Sequence, residues 1–191
     1  MKAMRFAILP AAILFPALSF AAPVKPVVPP TRAQQLDTLF AKLAKAESTD
    51  DAKPIEEKID TLFNQSGSDT VDLLMTRAQA AIQANDTDTA RKLYDSVTDL
   101  APDFAEGWHN RAAVQAMKGD DRGAMISLQK TLTLNPREFA AYGELAGMLE
   151  DYGDKKGALD AYRRAQALDP HFEDIDRHVR ELSRDVEGQG I

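Results

Sequence analysis

Residues 108–136 read WHNRAAVQAMKGDDRGAMISLQKTLTLNP, and the spacing of small, aliphatic and aromatic residues in this stretch returns in the sequence on either side of it. Pro102, Pro136 and Pro170 stand 34 residues apart. Four more positions keep the same period: Ala78, Ala112 and Ala146; Ala90, Ala124 and Ala158; Tyr94, Leu128 and Tyr162; Leu100, Leu134 and Leu168. Small residues let two helices approach closely, and larger ones fill the space between neighbouring pairs. The pattern predicts an all-α solenoid of stacked helix hairpins.

The turns of each copy are also marked in the sequence. Asn85, Gly119 and Gly153 fall between the two helices of successive copies, where Asn or Gly readily adopts the left-handed conformation that ends a helix. The proline of each copy then ends the second helix, because it lacks an amide donor and restricts the residue before it.

These positions resemble the tetratricopeptide repeat family. The most similar stretch carries Trp108, Asn110, Arg111, Ala112, Gly119, Asp120, Ala124, Leu128, Asn135 and Pro136. The resemblance covers residues 71–172 and implies a right-handed α-solenoid. Leu74, Ala81 and Gln115 depart from the family pattern, and Gln115 is expected to weaken packing locally.

The same pattern predicts an order of segments along the chain. Three well-formed repeats are expected, about the minimum for a stable stack because one unit cannot bury its own apolar face. The predicted segments are a signal peptide (1–21), a Pro-rich spacer (22–30), a degenerate helical hairpin (31–70), three repeats (71–104, 105–138 and 139–172), and a capping helix with a frayed tail (173–191).

The N-terminal residues are typical of an export signal. Lys2 and Arg5 precede an apolar stretch at residues 6–20, and Ser19 and Ala21 are small residues at the two positions that a signal peptidase reads. We expect cleavage after Ala21. The mature protein is then periplasmic or, alternatively, secreted.

An uncleaved membrane anchor is the other interpretation of this segment. It is disfavoured because the apolar stretch is shorter than the roughly 20 residues that cross a bilayer and contains Pro10 and Pro16. We therefore expect no membrane span after cleavage. The chain has no cysteine, which excludes a lipoprotein anchor and disulfide bonds.

Charge argues against nucleic acid as a partner. The chain has 23 Lys and Arg against 30 Asp and Glu. Removal of Lys2 and Arg5 with the leader leaves 21 basic residues against the same 30 acidic ones, a formal net charge of −9. Phosphate binding requires clustered basic residues, so nucleic acid is excluded as the expected partner.

The segments that flank the repeats carry helical patterns of their own. Thr31 and Gln34 fit a capping box, and Pro54 is expected in the first turn of a second helix. We expect this hairpin to cover the open N-terminal end of the stack, since terminal units are usually atypical. The apolar stripe at Ile175, Val179 and Leu182 predicts a helix that covers the last repeat.

The resemblance implies that the first helix of each unit lines a concave binding surface. Carried onto this chain, it identifies the candidate protein-binding residues Met75, Gln79, His109, Asn110, Ala113, Met117 and Glu144. The context of Asn110 is similar to repeats that clamp the C-terminal carboxylate of heat-shock chaperones. The basic residues of that clamp are replaced here by Met75, Ala140 and Glu144, so a chaperone-tail receptor is disfavoured.

Four of these candidates, and the neighbouring Arg111, also have a structural interpretation. Asn110 fits a peptide contact and a locally bonded helix residue equally well, and His109 fits a simple groove wall better than a contact. Met75 and Met117 are adaptable surface for a partner, although methionine at helical spacing is more often core. For Arg111 a structural role is favoured, with its guanidinium paired to a neighbouring carboxylate.

Catalysis finds no support in the sequence. There is no cysteine nucleophile and no Gly-x-Ser-x-Gly turn, and the three histidines lie apart. His171 and His178 with Asp174 as a metal site is a disfavoured alternative. The sequence therefore predicts no catalytic residues, no metal site and no cofactor.

Three hypotheses of function follow. The leading one is a non-enzymatic scaffold that holds an extended or helical segment of a cell-envelope protein on its concave face. The second is a self-associating spacer or assembly subunit. The third, with the least support, is a metal-dependent or hydrolytic enzyme.

Overall fold

The structure is a computed structural model that describes residues 30–172 and 174–188, and these residues form nine α-helices and no strand. The predicted signal peptide and residues 22–29 of the predicted spacer lie outside the described residues. The helices are α1 (Arg32–Leu43), α2 (Thr49–Phe63), α3 (Asp69–Gln83), α4 (Thr87–Leu100), α5 (Ala105–Met117), α6 (Asp121–Leu134), α7 (Phe139–Asp151), α8 (Lys155–Leu168) and α9 (Ile175–Glu187). The prediction of an all-α helical repeat fold is confirmed.

The small-residue positions lie inside the three hairpins α3–α4, α5–α6 and α7–α8. All six alanines of the two small positions are at most 1% exposed. Tyr94, Leu128 and Tyr162 are also buried, at 2%, 1% and 6%. Leu100 differs from these buried repeat positions, because 62% of it is exposed at the end of α4. The repeated positions are therefore packing positions, as close helix approach requires.

The turns inside the three hairpins share one backbone conformation and one type of helix cap. Asn85, Gly119 and Gly153 have φ angles of +57°, +73° and +81°, which confirms the predicted left-handed turns. The aspartate after each of them caps the next helix, since its side chain accepts a hydrogen bond from the backbone N–H three residues on.

Gln115 belongs to a buried polar network rather than to a packing defect. Its Oε1 accepts a hydrogen bond from Ser127 Oγ at 2.6 Å. Arg111 donates to the same hydroxyl at 3.0 Å and to Asp95 Oδ1 at 2.7 Å. The favoured structural role of Arg111 is confirmed. The expected weakening at Gln115 is absent, because a buried amide with partners does not carry the cost of an unpaired one.

Helices α1 and α2 form the N-terminal hairpin. The capping box of Thr31 and Gln34 is confirmed, with both of its reciprocal hydrogen bonds present. The expectation for Pro54 is wrong, because α2 begins at Thr49 and Pro54 lies in its second turn. Ser48 sets this earlier start, since its side chain accepts a hydrogen bond from the Asp51 amide.

The hairpin does not cover the N-terminal end of the stack, so that expectation is wrong. It packs onto the third unit, where the Phe40 ring lies 6.4 Å from Phe139, and Phe139 lies 5.2 Å from Phe172. Ile59 and Phe63 of α2 join the same apolar cluster. Phe139 and Phe172 of the third unit pack against the apolar face of the hairpin, whereas Leu73 of α3 stays 50% exposed.

Polar contacts fasten the hairpin to the same part of the stack. The Arg137 guanidinium lies 4.0 Å from the centre of the Phe40 ring and donates to Asp37 Oδ1 at 2.6 Å. His171 Nε2 lies 2.8 Å from the carbonyl oxygen of Ala46. The hairpin therefore reaches from the start of α7 to the segment after α8.

A pair of carboxyl groups is buried in this contact. Glu56 Oε1 and Asp169 Oδ2 are both buried, and no donor from the described residues reaches them. Burial, and then the charge of Asp169, raise the pKa of Glu56 to about 7, although His171 and Lys53 act in the opposite direction. We expect Glu56 rather than Asp169 to be the protonated member of the pair, because Asp169 already accepts the His171 amide at 2.9 Å.

This pair predicts a pH dependence of stability. The folded chain keeps the Glu56 proton up to about pH 7, whereas an ordinary Glu, with a pKa of 4.5, loses it at lower pH. The folded state therefore binds more protons in that window, and the free energy of unfolding falls as the pH rises through it. In Glu56→Gln a neutral amide replaces the protonated carboxyl group, so we expect this part of the fall to vanish between pH 5 and pH 8.

Denaturant-induced unfolding at pH 5 and at pH 8 measures this change in the free energy of unfolding. Glu57→Gln is the matched control, because Glu57 is the exposed neighbour in the same helix. An equal pH dependence in Glu56→Gln and Glu57→Gln would contradict the raised pKa of Glu56.

Helix α9 covers the other end of the stack. Ile175 and Leu182 are 3% exposed and pack with Val179 against the last hairpin. Lys155 pairs with Asp185 at 2.6 Å and Arg163 with Glu187 at 2.7 Å, but exposed pairs of this kind add little stability. Among the helices of the described residues, none is long and apolar enough to cross a membrane.

Candidate binding cleft on the concave face

A cleft of about 670 Å³ lies between the concave faces of α3 and α5 on one side and α2 on the other. Most of its side chains end in amide, hydroxyl or carboxylate groups, and Met75 contributes apolar surface. The lining residues are Asp60, Asn64, Asp72, Met75, Thr76, Gln79, Ala80, Gln83, Tyr94, Glu106 and Asn110. The docked hairpin supplies Asp60 and Asn64, and it therefore forms a wall of the cleft.

The cleft collects some of the sequence-predicted site residues and not others. Met75, Gln79 and Asn110 line it. His109 and Glu144 are hydrogen-bonded to each other beside it. Two candidates lie elsewhere: Ala113 and Met117 are exposed further along α5, and neither is part of the lining. The structure thus brings five of the seven candidates to one region.

Asn110 is held by bonds within the protein. Its Nδ2 donates to the Glu106 carbonyl oxygen at 3.0 Å and to Glu106 Oε1 at 2.8 Å. Its Oδ1 accepts from the Tyr94 hydroxyl at 3.4 Å. Both amide hydrogens are therefore used locally. Of the two interpretations left open by the sequence, the structure favours the locally bonded one.

His109 lies between two carboxylates. Its Nδ1 is 3.5 Å from Glu106 Oε1, its Nε2 is 3.1 Å from Glu144 Oε1, and its side chain is 13% exposed. Burial by itself lowers the pKa of His109, but the hydrogen bonds to Glu106 and Glu144 outweigh it and hold the pKa well above the ordinary value. His109 is thus more constrained than the groove wall that the sequence suggested.

Two further acids adjoin His109, and sequence reasoning missed both. Glu138 is 5% exposed, and Asn135 Nδ2 donates to its Oε2 at 3.0 Å. Burial, and then the charge of Glu106, raise the pKa of Glu138 to about 8. Partial burial and the same charge raise the pKa of Asp60. Glu138 was missed because it precedes α7, and Asp60 because the hairpin was expected at the other end.

The charge of the cleft has one sign. Asp60, Asp72 and Glu106 line it, and no Lys or Arg is among its lining residues. The arrangement can bind a cation and can pair amide side chains with an extended backbone. The disfavoured metal site at His171 and His178 gains no support, since His171 bonds Ala46 and His178 stacks on Tyr162 at 4.7 Å.

The chain is similar to several known proteins, although no protein-family model matches it. It is 32% identical over 155 residues to a TPR repeat-containing protein of Rhizobium etli, which covers 81% of this chain and 76% of that protein. The Sgt2 TPR domain of Aspergillus fumigatus superposes with a TM-score of 0.56 at 23% identity, over 63% of this chain and 81% of the domain.

A third similar protein was solved with a bound peptide. It is the type III secretion chaperone SycD of Yersinia enterocolitica, in complex with a peptide of the translocator YopD. It superposes with a TM-score of 0.57 at 17% identity, over 62% of this chain and 95% of that protein. At this identity the likeness to both structures shows a shared fold.

Proposed function

This chain belongs to the tetratricopeptide repeat family, and from that premise we propose that it is a non-enzymatic interaction scaffold of the cell envelope. Its ligand is an extended segment of another envelope protein, bound in the concave cleft. The proposed location is the periplasm, as the leader at residues 1–21 indicates.

One observation carries this proposal: the 670 Å³ cleft places amide and carboxylate side chains on one concave surface. Gln79 and Gln83 are both exposed on α3, four residues apart, and therefore lie on the same face of the helix. A side-chain amide donates and accepts together, as an extended backbone requires. The complex of SycD with a translocator peptide supports the same use of this fold.

The charge of the cleft selects among segments. Asp60, Asp72 and Glu106 line it without a basic residue among them. A segment that contains Lys or Arg is attracted to this acidic surface, whereas an acidic segment is repelled by it. Since Asp60 belongs to the hairpin, the bound segment contacts both the stack and α2. We therefore propose a basic, extended segment as the ligand.

Replacement of Gln79 and Gln83 by lysine is the test. The double variant places two positive charges and two long side chains in the cleft, and we expect at least tenfold weaker capture of the partner. Both residues are exposed, so helicity and melting temperature should stay unchanged. The measurement is crosslinking in intact cells, followed by affinity purification from the periplasmic fraction.

The matched control is Gln129→Lys with Thr133→Lys. These exposed residues have the same spacing on α6 and lie outside the cleft lining. Equal capture by the two double variants would contradict the assignment of the cleft. Capture of a second copy of this chain alone would favour the self-association hypothesis instead.

A further inference from the structure

Three potential metal ligands converge beside the cleft. One donor atom each of Glu106, His109 and Glu138 lies within 4.8 Å of the other two. Glu106 and His109 are three residues apart on α5 and so share a face of that helix. Glu138 comes from the residue before α7. The cluster therefore joins the second unit to the third.

Each of the three side chains is oriented by a partner of its own. The Nε2 of His109 lies 3.1 Å from Glu144 Oε1, which leaves Nδ1 facing Glu106 at 3.5 Å. Asn110 donates to Glu106 at 2.8 Å, and Asn135 donates to Glu138 at 3.0 Å. Ligands in protein metal sites characteristically have such outer partners, and a carboxylate behind the imidazole is the commonest arrangement.

In this cluster one imidazole faces the carboxylates of Glu106 and Glu144, and the carboxyl group of Glu138 adjoins them. Glu106 and Glu138 are 6% and 5% exposed. Among the described residues no Lys or Arg forms an ion pair with either carboxylate, and Glu138 accepts its hydrogen bond from the neutral amide of Asn135. Buried carboxylates are costly unless a cation or donors compensate them. A divalent ion would supply that compensation.

We propose that Glu106, His109 and Glu138 bind a divalent transition-metal ion of the Zn²⁺ class. The ligands are Nδ1 of His109, which releases its proton to solvent when the ion binds, and one oxygen from each carboxylate. The 3.5 Å between Nδ1 and Glu106 Oε1 is near the edge of about 3.3 Å that a tetrahedron with zinc–ligand bonds of about 2.0–2.1 Å requires. An imidazole favours Zn²⁺ over Ca²⁺ or Mg²⁺. This inference departs from the sequence-based expectation of no metal site.

The structural consequence is a link between repeats. The ion would tie α5 to the start of α7, next to Phe139, on which the hairpin packs. Binding to the folded chain alone raises its stability by mass action. The site shares Glu106 with the lining of the proposed peptide cleft, but His109 and Glu138 lie outside that lining, so substitutions at these two residues disrupt the metal site separately.

Zinc titration of the purified protein is the test, with the chain carrying no polyhistidine tag and stripped with a chelator beforehand. Isothermal titration calorimetry should show saturable binding of one equivalent of Zn²⁺, and Ca²⁺ should bind at least a hundredfold more weakly. His109→Gln and Glu138→Gln should each weaken Zn²⁺ binding by at least a hundredfold.

Glu144→Gln tests the positioning of the imidazole. Glu144 is exposed and is not a proposed ligand, so its replacement should keep the fold and weaken Zn²⁺ binding about 10–100-fold. His178→Gln is the control, because His178 faces a single carboxylate, Glu150, at 3.7 Å. It should bind Zn²⁺ as the original chain does.

The outcomes separate the proposal from a purely structural cluster. Zinc binding that persists in His109→Gln and Glu138→Gln, or no saturable binding to the original chain, overturns it. So does equal affinity for Ca²⁺ and Zn²⁺, which would exclude the imidazole as a ligand. Far-UV circular dichroism of each variant confirms its helicity. If His109→Gln or Glu138→Gln fails to fold, Glu144→Gln still decides. The proposal is overturned when Glu144→Gln binds Zn²⁺ as tightly as the original chain does.

Discussion

Phe139→Ala is expected to lower the free energy of unfolding by about 3–5 kcal/mol. Phe139 is 7% exposed, and its ring contacts Phe40 of the hairpin and Phe172 after α8. The variant removes the apolar surface on which the hairpin packs and leaves a cavity that the rigid helices fill only in part. Urea unfolding followed by far-UV circular dichroism measures the loss.

The loss should be concentrated in the hairpin. Amide hydrogen exchange of α1 and α2 is expected to rise more than that of α5 and α6, because this cluster is the apolar contact between the hairpin and the third unit. Phe139→Leu is the matched variant, since it keeps most of the apolar volume and should cost much less. A uniform rise of exchange along the chain, or equal losses in the two variants, would contradict the docking of the hairpin on the third unit.

Tyr94→Ala is the second large effect, also about 3–5 kcal/mol by comparison with other buried aromatic rings. Tyr94 is 2% exposed and packs in the cluster that joins the first unit to Val114 of the second. Its hydroxyl makes two long hydrogen bonds, to Gln79 at 3.5 Å and to Asn110 at 3.4 Å. The ring therefore contributes more to stability than the hydroxyl does.

Tyr94→Phe separates these two contributions. It keeps the ring and removes only the hydroxyl, so we expect a loss of about 1 kcal/mol or less. Thermal unfolding of both variants beside the original chain gives the comparison. A loss in Tyr94→Phe as large as in Tyr94→Ala would show that the hydrogen bonds, not the packing, stabilise this joint.

The candidate site was predictable in part from the sequence. Met75, Gln79 and Asn110 follow from the resemblance to the tetratricopeptide repeat family, in which the first helix of each unit lines the concave surface. The bonding of Asn110 did not follow, since it depends on the rotamers of Glu106 and Tyr94. The spacing Glu106-x-x-His109 was a signal for a paired ligand set, but its third member, Glu138, comes from the next unit.

The sequence by itself determined the repeat: the buried alanines, the left-handed turns and the stacking of three hairpins all follow from local spacing. Only the tertiary structure decided where the N-terminal hairpin lies and which acids surround His109. The physical reason is the separation along the sequence over which each kind of interaction acts. Helix periodicity and turn chemistry act within a few residues, so a sequence pattern displays them. The packing of Phe40 on Phe139 joins residues 99 positions apart, and it depends on which exposed apolar surface buries the hairpin best.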